Sequence, residues 1–210
     1  MSSSLSLLRN LEYENLARLS LDGEVLDLGG SRKSGYHEKI GGTHTYTVVN
    51  YGEMHGGQDL NFNIEEAFPL PDSSYDHVIS MNVLEHIFNY HNVFKETARV
   101  LKSGGYFVST VPFMHHIHGS PDDYHRYTES TYRKLADMYG FEVVEMKVLG
   151  YGVFSLVYQS IGGSIPTRLG KSIFQALCIG IDKLGLTFAR YRALRDRIPL
   201  GYYWIMKKRV

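Results

Sequence analysis

The sequence predicts an α/β protein whose mainly parallel sheet has helices on both faces. Three observations indicate this class. Short apolar strands recur along the chain, segments with helical spacing of apolar residues separate them, and Gly, Pro or Asn ends most of the strands. The 210 residues suffice for one domain and are too few for two of ordinary size. We therefore expect a single domain.

The first part of the chain is predicted to contain one helix and three strands. Leucines at helical spacing, with Leu11 or Glu12 in the same stripe, indicate an amphipathic helix over residues 4–20. A turn at Asp22-Gly23 ends it. Apolar or β-branched segments then predict strands at 24–28, 45–50 and 76–80.

The second part is predicted to add two helices and three strands, with a helical insertion before the last strand. A helix over 91–101 is expected to end at Ser103-Gly104-Gly105. Thr128 is expected to cap a second helix that ends at Gly140. The strands are predicted at 106–111, 141–148 and 201–208.

Charge and cysteine content exclude several classes of protein. Lys plus Arg and Asp plus Glu both number 22, so no overall positive field attracts nucleic acid. The charges are distributed unevenly along the chain, because residues 153–198 hold seven basic and only two acidic groups. A single cysteine, Cys178, excludes an intrachain disulfide and favours a reducing, cytoplasmic location. The uncharged stretch 148–167 is rich in Gly and Ser, which indicates a loop-rich connection instead of a membrane span.

Glycine and polar residues follow the predicted strands, at the edge where such sheets bind ligands. Asp27 lies near the end of the first strand, and Gly29-Gly30-Ser31 allow a tight turn and close approach of a ligand to the main chain. Asn50 comes 21 residues after Gly29, close to the spacing of a ribose-binding side chain. Each signal alone also fits an ordinary turn.

Five segments, taken in order, resemble one family. They are VLDLGG (25–30), FPLPDSSYDHVIS (68–80), NVLEH (82–86), RVLKSGG (99–105) and VPF (111–113). In this order and spacing the chain resembles the class I S-adenosylmethionine-dependent methyltransferases of the small-molecule kind. The resemblance implies a Rossmann-like sheet of seven strands with the last antiparallel, and S-adenosyl-L-methionine as cofactor.

The resemblance also implies a set of cofactor-binding residues: Asp27, Gly29, Gly30, Ser31, Asn50, Asn63, Ile64, Asn82 and His86. The main chain of residues 29–31 would face the methionine part, Asn50 the ribose, and Asn63 with Ile64 the adenine. The backbone of Asn82 would approach the sulfonium. Ser31 stands where the family usually has glycine, and both Asn50 and Asn63 stand where it usually has acids. The site should therefore be less negative than in its relatives.

Residues 112–128 form the densest ionisable cluster, with four His, two Asp, one Arg and two Tyr. The run is similar to bacterial methyltransferases met alongside surface-polysaccharide and nucleotide-sugar genes, which implies O- or N-methylation. We predict His118 as general base, oriented by Asp122 or Asp123, and Arg126 as the partner of a substrate anion. Alternatively, Asp122 caps a turn and Arg126 forms a structural ion pair.

Two further interpretations concern the same region. Glu85 and His86 could serve as the base, or they could be a helix-start residue and a packing histidine. No metal is expected, because the candidate ligands match no common spacing and adjacent histidines point apart on an extended segment. Those candidates are His115, His116, His118, Asp122, Asp123 and His125.

The chain is expected to be one methyltransferase domain over 1–210, divided into an N-terminal helix (1–22), a cofactor-binding core (23–150), a helical insertion or lid (151–199) and a final strand (200–210). The insertion has an apolar helical face made of Ile173, Phe174, Leu177, Ile181, Leu184 and Phe188. A lid over substrate, a dimer surface, a contact with an anionic membrane or a packed cap would all fit this face. Cys178 is expected to be a buried small residue.

The predicted function is methyl transfer from S-adenosyl-L-methionine to a small-molecule or glycan-linked acceptor, with no nucleic-acid partner. The rival hypothesis is a catalytically silent relative that keeps the fold as a binding or regulatory module, because the two amides and Ser31 depart from the family pattern. A nicotinamide-dependent oxidoreductase is a third hypothesis, which the absence of GxGxxG disfavours.

Overall fold

A computed structural model of the chain describes residues 5–52, 57–119 and 121–210. Its seven strands form one sheet in the order β3-β2-β1-β4-β5-β7-β6. The strands are β1 (Gly23–Leu28), β2 (His44–Asn50), β3 (Leu60–Asn61), β4 (Tyr75–Met81), β5 (Leu101–Pro112), β6 (Phe141–Leu149) and β7 (Gly201–Lys208). Strand β7 is antiparallel to both of its neighbours, and the other pairs are parallel. The predicted fold class is confirmed.

Six α-helices accompany the sheet: α1 (Leu7–Leu16), α2 (Tyr90–Val100), α3 (Glu129–Met138), α4 (Val153–Ile161), α5 (Arg168–Gly185) and α6 (Ala189–Arg195). Three of the helices begin at hydroxyl caps, in which the side chains of Ser6, Thr128 and Thr167 accept backbone N–H bonds. The cap at Thr128 and the insertion before the last strand were predicted.

Two boundaries, one strand and one connection differ from the sequence-based expectation. The stretch 148–167, expected to be a loop-rich connection, contains helix α4. Helix α1 is shorter than the predicted 4–20, because the chain turns after Leu16 and Ser20 pairs with Gly41; residue 4 itself lies outside the described residues. Strand β5 begins at Leu101 because this residue already pairs with Tyr75. The two-residue β3 was not predicted from any segment.

The sheet is buried on both faces. On one face, residues of α2 and α3 pack with Phe107 and Trp204, and the rings of these last two meet edge to face at 4.8 Å. On the other face, the leucines of α1 pack on Val25, Ile79 and Val108. Each such fully buried side chain contributes about 1.5–3 kcal/mol of hydrophobic stabilisation. Helix α1 therefore covers strands β1, β4 and β5 on this face of the sheet.

Helices α4, α5 and α6 form the insertion between β6 and β7. They are joined by the buried carboxylate of Asp182, which accepts hydrogen bonds from the Ser155 hydroxyl at 2.5 Å and from the Tyr191 hydroxyl. Cys178 is buried, as expected. The packed-cap interpretation is wrong for most of the apolar face, because Ile173, Leu177, Leu184 and Phe188 are more than half exposed. Among the described residues, no helix has the length and apolar character that a bilayer crossing requires.

Candidate active site

A crevice of about 350 Å³ lies at the carboxyl ends of β1, β2 and β4, where the strand order reverses. Seven of the predicted site residues line it: Gly29, Asn50, Asn63, Ile64, Asn82, His86 and Asp122. Two larger surface grooves beside α1 contain none of the predicted residues. The predicted strand-end residues therefore do converge on one cavity.

The loop after β1 requires its two glycines. Gly29 has φ +75°, and a Cβ placed on it would lie 2.6 Å from Val83. A Cβ on Gly30 would lie 1.9 Å from the Asp27 carboxylate. The main chain therefore approaches the crevice without side chains in the way, as a nucleoside-type ligand needs.

Asp27 supports this loop from below and does not line the crevice. Its buried Oδ2 accepts a hydrogen bond from the Tyr36 hydroxyl at 2.7 Å and lies 2.7 Å from His37 Nε2. Burial raises the pKa of the Asp27 carboxyl, against the two hydrogen bonds. Gly30 and Ser31 are also absent from the crevice lining.

The side chains of Asn50 and Asn63, which stand where the family usually has acids, already form some hydrogen bonds within the chain. Asn50 donates from Nδ2 to the carbonyl of Gly30 at 3.0 Å, and its Oδ1 accepts from the Tyr51 N–H at 2.8 Å. The Oδ1 of Asn63 accepts from the Glu65 N–H at 3.0 Å. Both side chains line the crevice, so Asn50 holds the glycine loop while facing the ligand space.

Asn82 lines both the crevice and a second, small polar cavity of about 60 Å³. It has φ +55°, a left-handed conformation at the end of β4. Its Nδ2 donates to the Glu12 carboxylate at 3.0 Å, and its Oδ1 is buried with no partner among the described residues. His115 and His118 line the small cavity with Glu12.

Glu12 and Glu85 are buried acids beside these cavities. Burial raises the pKa of Glu12 to about 7, against the opposing effects of Arg9 and Asn82. Burial also raises the pKa of Glu85 to about 8, and the nearby Glu12 adds to this. Sequence reasoning missed the place of Glu12, although the signal was present: a glutamate stands in the buried leucine stripe of α1.

Residues 122–125, which include the two acids predicted to orient His118, pack against Glu85 and His86. The backbone N–H groups of Tyr124 and His125 donate to the Glu85 carbonyl at 2.8 and 3.1 Å. His86 Nδ1 donates to the Asp122 carbonyl at 2.5 Å, and the Asp122 carboxylate accepts from the Tyr124 hydroxyl. These contacts tie residues 122–125 to the turn Leu84–His86 after β4.

His118, Asp123 and Arg126 form a connected set. Arg126 binds both carboxylate oxygens of Asp123 and holds the pKa of that carboxyl well below its usual range. Asp123 Oδ2 accepts from the His118 backbone N–H at 2.9 Å and lies 3.4 Å from His118 Nδ1. Of the two predicted acids, Asp123 is thus the one beside His118. The bidentate contact favours the structural ion pair over a substrate contact for Arg126.

The residues present fit S-adenosyl-L-methionine. The crevice has the volume typical of small-molecule sites, glycine main chain on one side, and the apolar surface of Ile64. The partnerless Oδ1 of Asn82 supplies a buried acceptor at the end that adjoins the small cavity.

Comparison with known proteins agrees with this fit. Residues 40–109 match the family model described as a methyltransferase domain. No curated protein sequence matches the chain significantly.

Three solved structures show the shared fold. An S-adenosylmethionine-dependent methyltransferase from Mesorhizobium loti has 14% identity and a TM-score of 0.61, over 96% of this chain and 100% of that one. The [4+2]-cyclase SpnF has 14% identity and a TM-score of 0.60, over 97% and 82%. Haemonchus contortus phosphoethanolamine N-methyltransferase 2, in complex with S-adenosyl-L-methionine, has 17% identity and a TM-score of 0.55, over 96% and 52%.

The strand order and the crevice define a Rossmann-like fold of the methyltransferase type. Inside that fold, residues 40–109 match a methyltransferase domain, which supports an S-adenosylmethionine-dependent methyltransferase with S-adenosyl-L-methionine as cofactor. The predicted fold, enzyme class and cofactor agree with these findings. The roles of individual residues stay predictions.

Proposed function

We propose that this enzyme methylates a hydroxyl group on a small-molecule or glycan-linked acceptor, with His118 as the general base. One observation carries the proposal: His118 lines a small polar cavity, and Asn82 lines both this cavity and the crevice proposed for the cofactor. An acceptor group in that cavity would lie next to the reacting end of the crevice. The cavity has room for a hydroxyl-sized group and is too small for a sugar ring.

When bound, S-adenosyl-L-methionine supplies a methyl carbon on a positively charged sulfur, so the acceptor oxygen forms the new O–C bond while the C–S electron pair stays on sulfur. The chain's own residues position the acceptor and move its proton. Asp123 lies beside Nδ1 of His118, which leaves Nε2 to accept the proton. Arg126 holds Asp123 in place and stays charged throughout.

An amine acceptor is the second form of this proposal. The buried carboxyls Glu12 and Glu85 lie near the same cavity, and either could accept a hydrogen bond from an amine. A neutral amine needs no base to become nucleophilic. O-methylation therefore predicts a large loss of turnover without His118, whereas N-methylation predicts a small one.

The experiment compares His118→Ala with His116→Ala, an exposed histidine of the same loop that lines neither cavity. S-adenosylhomocysteine release is followed over a panel of nucleotide sugars and small alcohols, and calorimetry measures S-adenosylhomocysteine affinity. We expect His118→Ala to lose about 100-fold or more in turnover at nearly unchanged affinity. An equal loss of both in His118→Ala would make His118 a structural residue.

The same titration separates the enzyme from a catalytically silent module. A silent relative is expected to leave S-adenosylhomocysteine unbound at millimolar concentration or to release no product with any acceptor. The fold alone does not decide the reaction, since a similar structure belongs to a [4+2]-cyclase.

The proposal extends to cellular context. We place the enzyme in the cytoplasm of a bacterium, in surface-polysaccharide biosynthesis, with the insertion 153–198 meeting a second copy or an anionic membrane. Support comes from the resemblance of residues 112–128, the single cysteine and the exposed apolar and basic insertion.

A further inference from the structure

Three potential metal ligands meet beside the crevice, and no step of the proposed reaction uses all of them. Glu85 Oε1 lies 3.6 Å from His86 Nε2 and 3.9 Å from His118 Nε2. One ligand atom from each of the three residues lies within 4.8 Å of the others. Ligands at about 2.0–2.2 Å from a tetrahedral ion are roughly 3.3–3.6 Å apart. The two distances from Glu85 Oε1 match this spacing to within a few tenths of an ångström, and the imidazole nitrogens lie within 4.8 Å of each other.

The carboxylate of Glu85 is the first observation that points to a cation. The residue is fully buried, and neither side-chain oxygen has a hydrogen-bond partner among the described residues. Buried carboxylates are normally paired, hydrogen-bonded or bound to metal, because an unpaired one loses its hydration. The nearby guanidinium of Arg126 already binds both oxygens of Asp123.

The orientation of the two histidines is the second, independent observation. His86 donates from Nδ1 to the Asp122 carbonyl, which leaves the lone pair of Nε2 directed toward Glu85. His118 has Nδ1 beside the Asp123 carboxylate and Nε2 toward Glu85. Metal-bound histidines usually have this arrangement, with the second ring nitrogen held by a carbonyl or carboxylate.

The charges around the three ligands also favour a cation. Glu12 and Asp123 are the acidic groups that act on Glu85, and Arg126 is the basic one. Arg126 is already paired with Asp123, so the carboxylate of Glu85 is left for a bound cation to neutralise.

We propose that Glu85, His86 and His118 bind one divalent transition-metal ion, Zn²⁺ or an ion of similar preference, with one coordination position open toward the small cavity. Two imidazole nitrogens and one carboxylate are a common donor set for catalytic zinc and for related ions, whereas Mg²⁺ and Ca²⁺ prefer oxygen ligands. The site was not expected from the sequence, because the candidate ligands there lay within residues 115–125, whereas Glu85 and His86 reach His118 only through the fold.

The inference rests on the proposed function only for the role of the ion. With the ion bound, the lone pair of His118 Nε2 would be used in coordination, and an acceptor hydroxyl at the open position would lose its proton more readily, to the carboxylate of Glu12 that lines the same cavity. His118 then acts as a ligand in place of a free base. The binding of the ion itself can be measured without any acceptor.

The experiment titrates the chelator-treated full chain with Co²⁺ and Zn²⁺, by calorimetry and by the visible absorption of Co²⁺. We expect one ion per chain, weak or no response to Mg²⁺, and a loss of affinity of about 100-fold or more in Glu85→Gln and His86→Ala. Asp123→Asn removes no ligand but alters the group beside His118 Nδ1 and should lose about 10–100-fold. His116→Ala is the matched control and should bind as the wild type does.

Circular dichroism and S-adenosylhomocysteine affinity identify variants that still fold. Absence of saturable binding to the wild type, or equal affinity in folded Glu85→Gln, would overturn the inference. Ion binding without methyl transfer to any acceptor would support the metal site and refute the proposed function. Full turnover after chelation, with loss of turnover in His118→Ala, would leave His118 as the base and refute the catalytic role of the ion, while the titration decides its binding.

Discussion

Asn82 donates a side-chain hydrogen bond to the buried carboxylate of Glu12, with 3.0 Å between Nδ2 and Oε2. The bond joins α1 to the end of β4 at Asn82, which lines both the crevice and the small polar cavity. The N-terminal helix is thereby part of the site, and the state of Glu12 affects both the stability of the fold and the polarity of the small cavity.

Replacing Glu12 with Gln should remove a specific dependence of stability on pH. The pKa of Glu12 is raised from 4.5 to about 7, so between these pH values the folded chain holds a proton that the unfolded chain has lost. This contribution to stability is complete below pH 4.5, decreases as the pH rises and is gone above about 7. The stability of the wild type relative to Glu12→Gln should fall by about 3 kcal/mol across that window.

Urea unfolding of both proteins at several pH values measures this difference, and other titrating groups largely cancel. A pH-independent difference between the wild type and Glu12→Gln would contradict the raised pKa.

Gly29→Ala should weaken cofactor binding and stability together. The positive φ of Gly29 and the 2.6 Å approach of an added Cβ to Val83 both oppose alanine. We expect about 1–3 kcal/mol of destabilisation from the backbone and at least a tenfold rise in the Kd for S-adenosylhomocysteine. Gly180→Ala is the control, because a Cβ there meets nothing within 4 Å and α5 should gain slightly in stability. Unchanged affinity in Gly29→Ala would show that this loop does not approach the ligand.

Asn50→Ala should raise the Kd for S-adenosylhomocysteine about tenfold. It removes the hydrogen bond to the Gly30 carbonyl and a polar group of the crevice, each worth about 1 kcal/mol. Asn61→Ala provides the comparison, because Asn61 also donates to a backbone carbonyl nearby, that of Gly52, but does not line the crevice. Calorimetry should show the effect in the first variant only; equal effects in both would indicate a general change in the loops.

Arg126→Ala should destabilise the chain by about 3 kcal/mol, because it leaves the nearly buried carboxylate of Asp123 without its bidentate partner. Arg133→Ala breaks an exposed pair with Glu129 and should change stability by less than about 0.5 kcal/mol. Chemical unfolding compares the two variants. A near-neutral Arg126→Ala would return Arg126 to the role of a substrate-binding residue.

Much of the fold and of the crevice could be predicted because the signals are local. Gly29 and Asn82 lie at the ends of strands whose apolar patterns are continuous, and parallel strand ends must meet at one edge. Strand β3 was missed because two residues carry no periodicity. The early end of α1 was missed because it depends on the pairing of Ser20 with Gly41.

The amino-acid sequence determined the α/β class and the strand-end residues that line the crevice, because periodicity and strand-end motifs need only neighbouring positions. Tertiary structure alone decided which polar groups share a site. Glu12 meets Asn82 across 70 positions of the chain, and the loop returns over β4 to bring His118 to Glu85. Contacts of this kind depend on how helices and loops pack on the sheet, which spacing along the chain does not specify.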